Sequence, residues 1–228
     1  DGQKLSKRRG AVSVTAYEEG GYLPEAMLNY LARLGWSHGD DELFTREQLV
    51  SWFDGTHLNK SPAQWDPAKL LWVNGQYIKQ ADNQRLAALT AQQLAKLGVT
   101  LDATAAEQHL PRVCALLKDR CETTVALAQW AARFYADVTP DAAELAQHVT
   151  DAVRPAMALL AEKLSSCTWD KAAIAAVLKE VLAAHGLKMP QLAMPVRVLG
   201  MGTAHTPSLD AALELCGREK VLARLAKC

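Results

Sequence analysis

The 228-residue sequence predicts an all-α fold, and three observations predict it. Beyond the first fifteen residues apolar side chains recur at intervals of three and four, the spacing that lines one face of a helix. Strand-like alternation does not persist anywhere. Helix punctuation recurs at intervals of 8 to 18 residues, too short for a coiled coil and suited to stacked helix pairs.

Taken in order, Pro24 stands in the first turn of a helix over residues 23–34, with Gly35 placed to end it. Thr45 and Gln48 have capping-box spacing before Leu49, Val50, Trp52 and Phe53, and Asp66-Pro67 opens a helix over residues 68–78. Further helices are expected near 83–97, 104–119, 122–137, 141–149, 154–165, 169–185, 190–199, 207–216 and 218–227, about a dozen in all. Two breaks divide the chain, one at residues 80–83 and one at the Thr-Pro-Asp turn of residues 138–141. The expected organisation is therefore a short irregular N-terminal segment over residues 1–20, a helical region over 21–81, and two helical subdomains over 82–139 and 140–228.

Half the residues are hydrophobic and 22% are charged, a composition too apolar for disorder. No apolar run reaches the ~18 residues that a membrane span needs, and no signal peptide is visible, so a cytoplasmic protein is expected. Five cysteines, without C-x-x-C spacing, read as reduced thiols rather than metal ligands. The formal net charge is zero, yet charge is sorted along the chain. Residues 1–10 carry Lys4, Lys7, Arg8 and Arg9 against Asp1, whereas residues 18–54 hold eight acidic groups against Arg33 and Arg46. A polyanion should avoid that acidic stretch.

The N-terminal run Asp1-Gly2-Gln3-Lys4-Leu5-Ser6-Lys7-Arg8-Arg9-Gly10 brackets a lysine pair between glycines, the makings of a loop whose ammonium groups follow a triphosphate. A solvated basic tail has the same composition. Lys4-Leu5-Ser6-Lys7-Arg8 resembles the KMSKS signature of class I aminoacyl-tRNA synthetases, in the variant typical of bacterial glutamyl-tRNA synthetases. The likeness continues through Gly10-Ala11-Val12-Ser13-Val14, Gly21-Tyr22-Leu23-Pro24-Glu25-Ala26, Leu28-Asn29-Tyr30-Leu31 and Leu34-Gly35-Trp36-Ser37. It extends through Phe44-Thr45-Arg46-Glu47 and Lys69-Leu70-Leu71-Trp72-Val73-Asn74. After residue 80 it survives in islands at Arg120-Cys121, Met194-Pro195-Val196-Arg197 and Thr206-Pro207-Ser208-Leu209.

The resemblance implies that residues 1–20 are a remnant of a catalytic domain, that 21–81 contact the tRNA stem, and that 82–228 bind the anticodon. It implies a parent ligase that joins glutamate to tRNA(Glu) through a glutamyl-adenylate, with ATP and Mg2+, acting as a monomer. Lys7 would be the catalytic lysine that contacts ATP, with Lys4 and Ser6 supporting the loop. Arg120 would read the third anticodon base, and Thr206, Pro207 and Leu209 would contact the first. The HIGH-type motif and glutamate pocket of such enzymes are not found in these 228 residues, so a piece inactive by itself and lacking a metal site is expected.

The residues alone leave some roles open. Arg120 could meet a base edge or pair with Asp119 or Glu122 on the surface, and Thr206-Pro207 is explained equally well as a helix cap. Trp130, Phe134 and Tyr135 could stack on bases, but their spacing suits one helix face and favours the core, the expected place also of Trp52, Trp65, Trp72 and Trp169. A class I lysyl-type synthetase domain, or a helical interaction module without an RNA role, would share these apolar stripes.

Overall fold

A computed structural model describes residues 13–60 and 62–228. Thirteen α-helices form among the described residues. They are α1 Val14–Glu19, α2 Pro24–Gly35, α3 Arg46–Trp52, α4 Pro67–Gln80, α5 Asn83–Lys96, α6 Leu110–Leu117 and α7 Thr124–Tyr135. The chain continues with α8 Ala142–His148, α9 Arg154–Ser166, α10 Lys171–His185, α11 Met189–Met201, α12 Leu209–Cys216 and α13 Arg218–Leu225. Strand-type pairing among the described residues is limited to an isolated antiparallel bridge between Trp36 and Leu58, so the all-α expectation holds.

The local signals act as their chemistry requires. Thr45 Oγ1 accepts the Gln48 amide while Gln48 Oε1 accepts the Thr45 amide, which satisfies two of the donors a helix start leaves unpaired. Asp66 caps α4 ahead of Pro67, and Asp141 caps α8. The short helix α1, capped by Ser13, forms where the sequence suggested irregular chain.

The helix expected over residues 104–119 is interrupted twice. A π-helical turn spans Ala105–His109, α6 follows, and a 3-10 turn of Lys118–Arg120 ends the run. Pro111 supplies the reason, because it has no N–H to give the preceding turn and its ring crowds the carbonyl four residues back; widening that turn removes the conflict.

By its contacts the chain forms two compact units. Unit 1 comprises residues Asp1–Leu97 and Leu117–Gln129. Its core is built on the inner faces of α2 and α4, with Ala26, Met27 and Tyr30 on one and Leu70, Val73 and Ile78 on the other. These recur at helical spacing, so each helix buries one stripe. Polar side chains fix the loop before α3: Asn29 donates to Glu42 O at 2.9 Å and accepts the Phe44 amide at 3.0 Å. The Tyr30 hydroxyl accepts the Asp66 amide and so ties the start of α4 to α2. Trp72 departs from the core expectation, being 37% exposed beneath the Lys69 ammonium, 4.1 Å from the ring centroid. His38 is exposed and lies flat on Trp52 with centroids 4.1 Å apart.

Unit 2 comprises Gly98–Leu116 and Trp130–Cys228. Here α9 packs on α10 and α13, α10 on α12, and α11 on α8. Met157, Leu160 and Leu164 of α9 and Ile174, Leu178 and Val181 of α10 are buried, and Phe134 is only 1% exposed, as its helical spacing suggested.

The π-helical turn aims His109 inward. Its Nε2 lies 2.8 Å from Leu215 O, an acceptor, so Nε2 carries the proton and Nδ1, 2.7 Å away, accepts from the Tyr135 hydroxyl. Burial holds this imidazole below the ordinary value of 6.5, the hydrogen bond to Leu215 O opposes that shift, and Arg112 and Lys220 add to it. A proton is therefore bound more tightly in the unfolded chain, and the stability this group contributes is complete above an ordinary histidine pKa and lost as pH falls below it. Between about pH 7 and pH 5 the Tm of unit 2 should decrease, and His109→Gln should flatten that slope. A slope unchanged by the substitution would show that other groups cause it.

Candidate nucleic-acid interface

The described residues of unit 1 present the sequence-singled Arg120 on a short turn clamped from both sides. The 3-10 turn Lys118–Arg120 leaves the Arg120 side chain exposed. One residue pair before it, Lys118 Nζ donates to Ala81 O at 3.1 Å, at the C-cap of α4. On the other side Glu122 O accepts from Asn74 Nδ2 at 2.5 Å, and the Thr124 amide donates to Gly21 O at 3.0 Å. Gly75 completes the fit, since a Cβ there would lie 3.1 Å from Glu122 Cγ. Ordering a long side chain costs conformational entropy, and a turn already fixed at its backbone confines that cost to the guanidinium stem.

In unit 2 the segment after α11 is clamped in a similar way. Gly202 adopts φ 79°, closes α11 through its amide to Val198 O at 2.9 Å, and redirects the chain. The Glu144 carboxylate of α8 accepts the Ala204 amide at 2.9 Å. Arg197 Nη1 of α11 donates to Thr206 O at 2.9 Å and to Thr206 Oγ1 at 3.0 Å, and that hydroxyl donates onward to Pro207 O at 3.1 Å. The helix cap differs from expectation. Ser208, not Thr206, is the N-cap of α12, because the Thr206 hydroxyl is engaged by Arg197 and Pro207 O and turns away from the α12 amides.

Thr206, Pro207 and Leu209 are buried, so these side chains shape the turn, while His205 and Ser208 are its exposed polar members. The sequence reading singled out this segment without its clamps. Arg197 had a signal, as a guanidinium inside the apolar run Met194–Gly200; Glu144 and Asn74 had none that local pattern could supply. Lys4, Ser6 and Lys7 lie outside the described residues. Among the described residues no group of three or more His, Cys, Asp or Glu side chains could hold a metal, and no helix is long and apolar enough to cross a membrane.

The described residues thus form an all-helical chain in which one clamped turn displays an arginine and the other a histidine and a serine. Residues 85–228 match the anticodon binding domain family, and the chain belongs to it. Residues 1–72 match the catalytic domain of class I tRNA synthetases (E and Q). The relatives are glutamate–tRNA ligases: that of Paracidovorax citrulli is 63% identical over 98% of this chain, and that of Albidiferax ferrireducens is 62% identical over the same share. Each alignment covers 47% of the relative, so the chain spans about half the length of the curated relatives it matches. The crystal structure of a glutamate tRNA ligase from Elizabethkingia meningosepticum in complex with its amino acid superimposes with a TM-score of 0.86 at 25% identity, covering all of this chain and 48% of that one.

Proposed function

We propose that this chain is the tRNA-recognising part of a ligase that uses ATP and Mg2+ to join glutamate to tRNA(Glu), with residues 1–20 contributing the lysine loop of the catalytic domain. The observation that carries the reading is Arg120, an exposed guanidinium on a turn fixed at both ends, in a chain whose family is named for anticodon binding. A guanidinium is planar, permanently charged and able to give two parallel hydrogen bonds to one base edge, so a fixed turn makes it selective as well as attractive.

In this reading residues 21–81 face the tRNA stem, 82–139 and 140–228 form the two anticodon-binding subdomains, and Arg120 takes the third anticodon base. The turn that Thr206, Pro207 and Leu209 shape takes the first. Lys7, supported by Lys4 and Ser6, acts in glutamate activation. Negative charge grows on the departing pyrophosphate, and a preplaced ammonium stabilises that transition state more than the ground state. Among the described residues no group of three or more His, Cys, Asp or Glu side chains could hold the Mg2+. The protein acts in the cytoplasm as a monomer.

The test is Arg120→Gln in the complete ligase. The ratio of kcat/KM for glutamate tRNA over glutamine tRNA should fall by roughly 5- to 150-fold at a single fixed salt concentration, the equivalent of the ~1 to 3 kcal/mol of one bidentate base contact. An unchanged ratio in a folded variant would return Arg120 to a surface ion-pair role.

A further inference from the structure

Asn74 makes three side-chain hydrogen bonds within unit 1, and neither base contact nor catalysis employs it. It sits on the buried stripe of α4, is fully buried, and joins two segments nearly fifty or more residues away in sequence. Its Oδ1 accepts the Leu23 amide at 2.8 Å. Its Nδ2 donates to Glu122 O at 2.5 Å and to Gly21 O at 3.3 Å. Only this amide orientation works, since Leu23 offers a donor and the other two groups are carbonyls. Gly21 O also accepts the Thr124 amide, so the segment following α1 and the turn carrying Arg120 share one hydrogen-bonded joint.

We propose that Asn74 is a positioning residue for tRNA discrimination. Its carboxamide sets the Arg120 turn against the Gly21–Leu23 segment, so that the stretch linking the lysine loop to the helical region and the base-reading guanidinium are placed by one side chain. The inference rests on the reading of Arg120 as the third-base contact. Three features support it. The Asn74 side chain is fully buried, so a partner lost there is not replaced by water without a rearrangement. It lies two residues from Arg120 along the backbone, a distance over which a shift in Glu122 must be felt at the guanidinium. Gly75, the next residue, packs close to Glu122, where an added Cβ would stand 3.1 Å from Glu122 Cγ.

The isosteric Asn74→Asp keeps the acceptor for Leu23 and turns the donors into a carboxylate facing two carbonyls. In the complete ligase this variant should lower the glutamate-to-glutamine tRNA ratio of kcat/KM by about tenfold, and adding Arg120→Gln should lower it no further. Gly75→Ala, which presses on Glu122 while leaving every hydrogen bond in place, should lower the ratio by a smaller factor and decides the matter if Asn74→Asp does not fold. Lower Tm with the ratio intact, and Arg120→Gln retaining its full effect in the Asn74→Asp background, would make Asn74 purely structural and overturn the proposal. If Arg120→Gln alone leaves the ratio unchanged, the third-base reading fails, and this inference with it.

Discussion

Replacing Arg224 by Met should destabilise unit 2 by about 3 to 5 kcal/mol, seen as a lower urea midpoint at constant m-value. The side chain is 4% exposed, and its hydrogen-bond partners are three backbone carbonyls and Cys216 Sγ rather than a carboxylate. Nη2 donates to Arg133 O and Ala136 O, both at 2.8 Å, and Nη1 to Gly200 O. These carbonyls stand at the C-terminal ends of α7 and α11, where the last turn of a helix has acceptors to spare and carries partial negative charge. Two neighbours add to the same arrangement: Arg133 Nη1 donates to Met201 O and Lys220 Nζ to Phe134 O. Helix ends thus take the part of a counter-ion. Methionine would occupy the volume of the stem, so the loss would come from three backbone acceptors, one buried and two half-buried, left without their Arg224 donors.

Two controls separate this account from a general effect of arginine removal. Arg112→Met breaks a 3.4 Å ion pair with Glu214 at an exposed guanidinium, and should cost less than about 1 kcal/mol. Arg224→Lys keeps the charge but gives one ammonium where a planar fork spans three carbonyls, so it should recover only part of the loss. Equal midpoints for the Arg224 and Arg112 variants would mean that the helix-end carbonyls find water or other donors.

Sequence pattern carried the helices well because their evidence is local. Thr45 with Gln48, Asp66 with Pro67, and the stripes of α4 and α10 are each complete within one or two turns. It failed where a local rule met a competing one. The helix expected over residues 104–119 contains Pro111, and the turn before it had to widen; Thr206 read as a cap, yet a guanidinium nine residues earlier claimed its hydroxyl. The candidate site divides along the same line. Arg120 and the Thr206–Leu209 turn were visible through resemblance, whereas Asn74, Glu144 and Arg224 act across 48 to 91 residues of chain, and no periodicity encodes a partner that far away.

Gly21 makes the same point about distance, and replacing it by Ala should cost about 3 kcal/mol. Its φ of +84° alone is unfavourable for any residue with a Cβ, by roughly 1 to 2 kcal/mol. The rest is steric. A Cβ would stand 2.7 Å from the Val125 amide nitrogen and 2.8 Å from the Thr124 nitrogen and hydroxyl, and two of these three atoms are backbone at the start of α7. Relief therefore requires moving the segment off the helix, which lengthens the Thr124 amide bond to Gly21 O and the weaker contact from Asn74. Gly55 provides the comparison, with φ of +79° and nothing within 4 Å of its Cβ position, so Gly55→Ala should show the conformational term alone. Urea unfolding of the two variants, with amide exchange followed at Thr124, separates the contributions. Gly21→Ala should be the more destabilised by about 1 to 2 kcal/mol and should lose protection at Thr124. If both variants unfold at the same urea concentration with Thr124 protected, the close approach to α7 does not hold the segment, and the joint centred on Asn74 must be carried by its own hydrogen bonds.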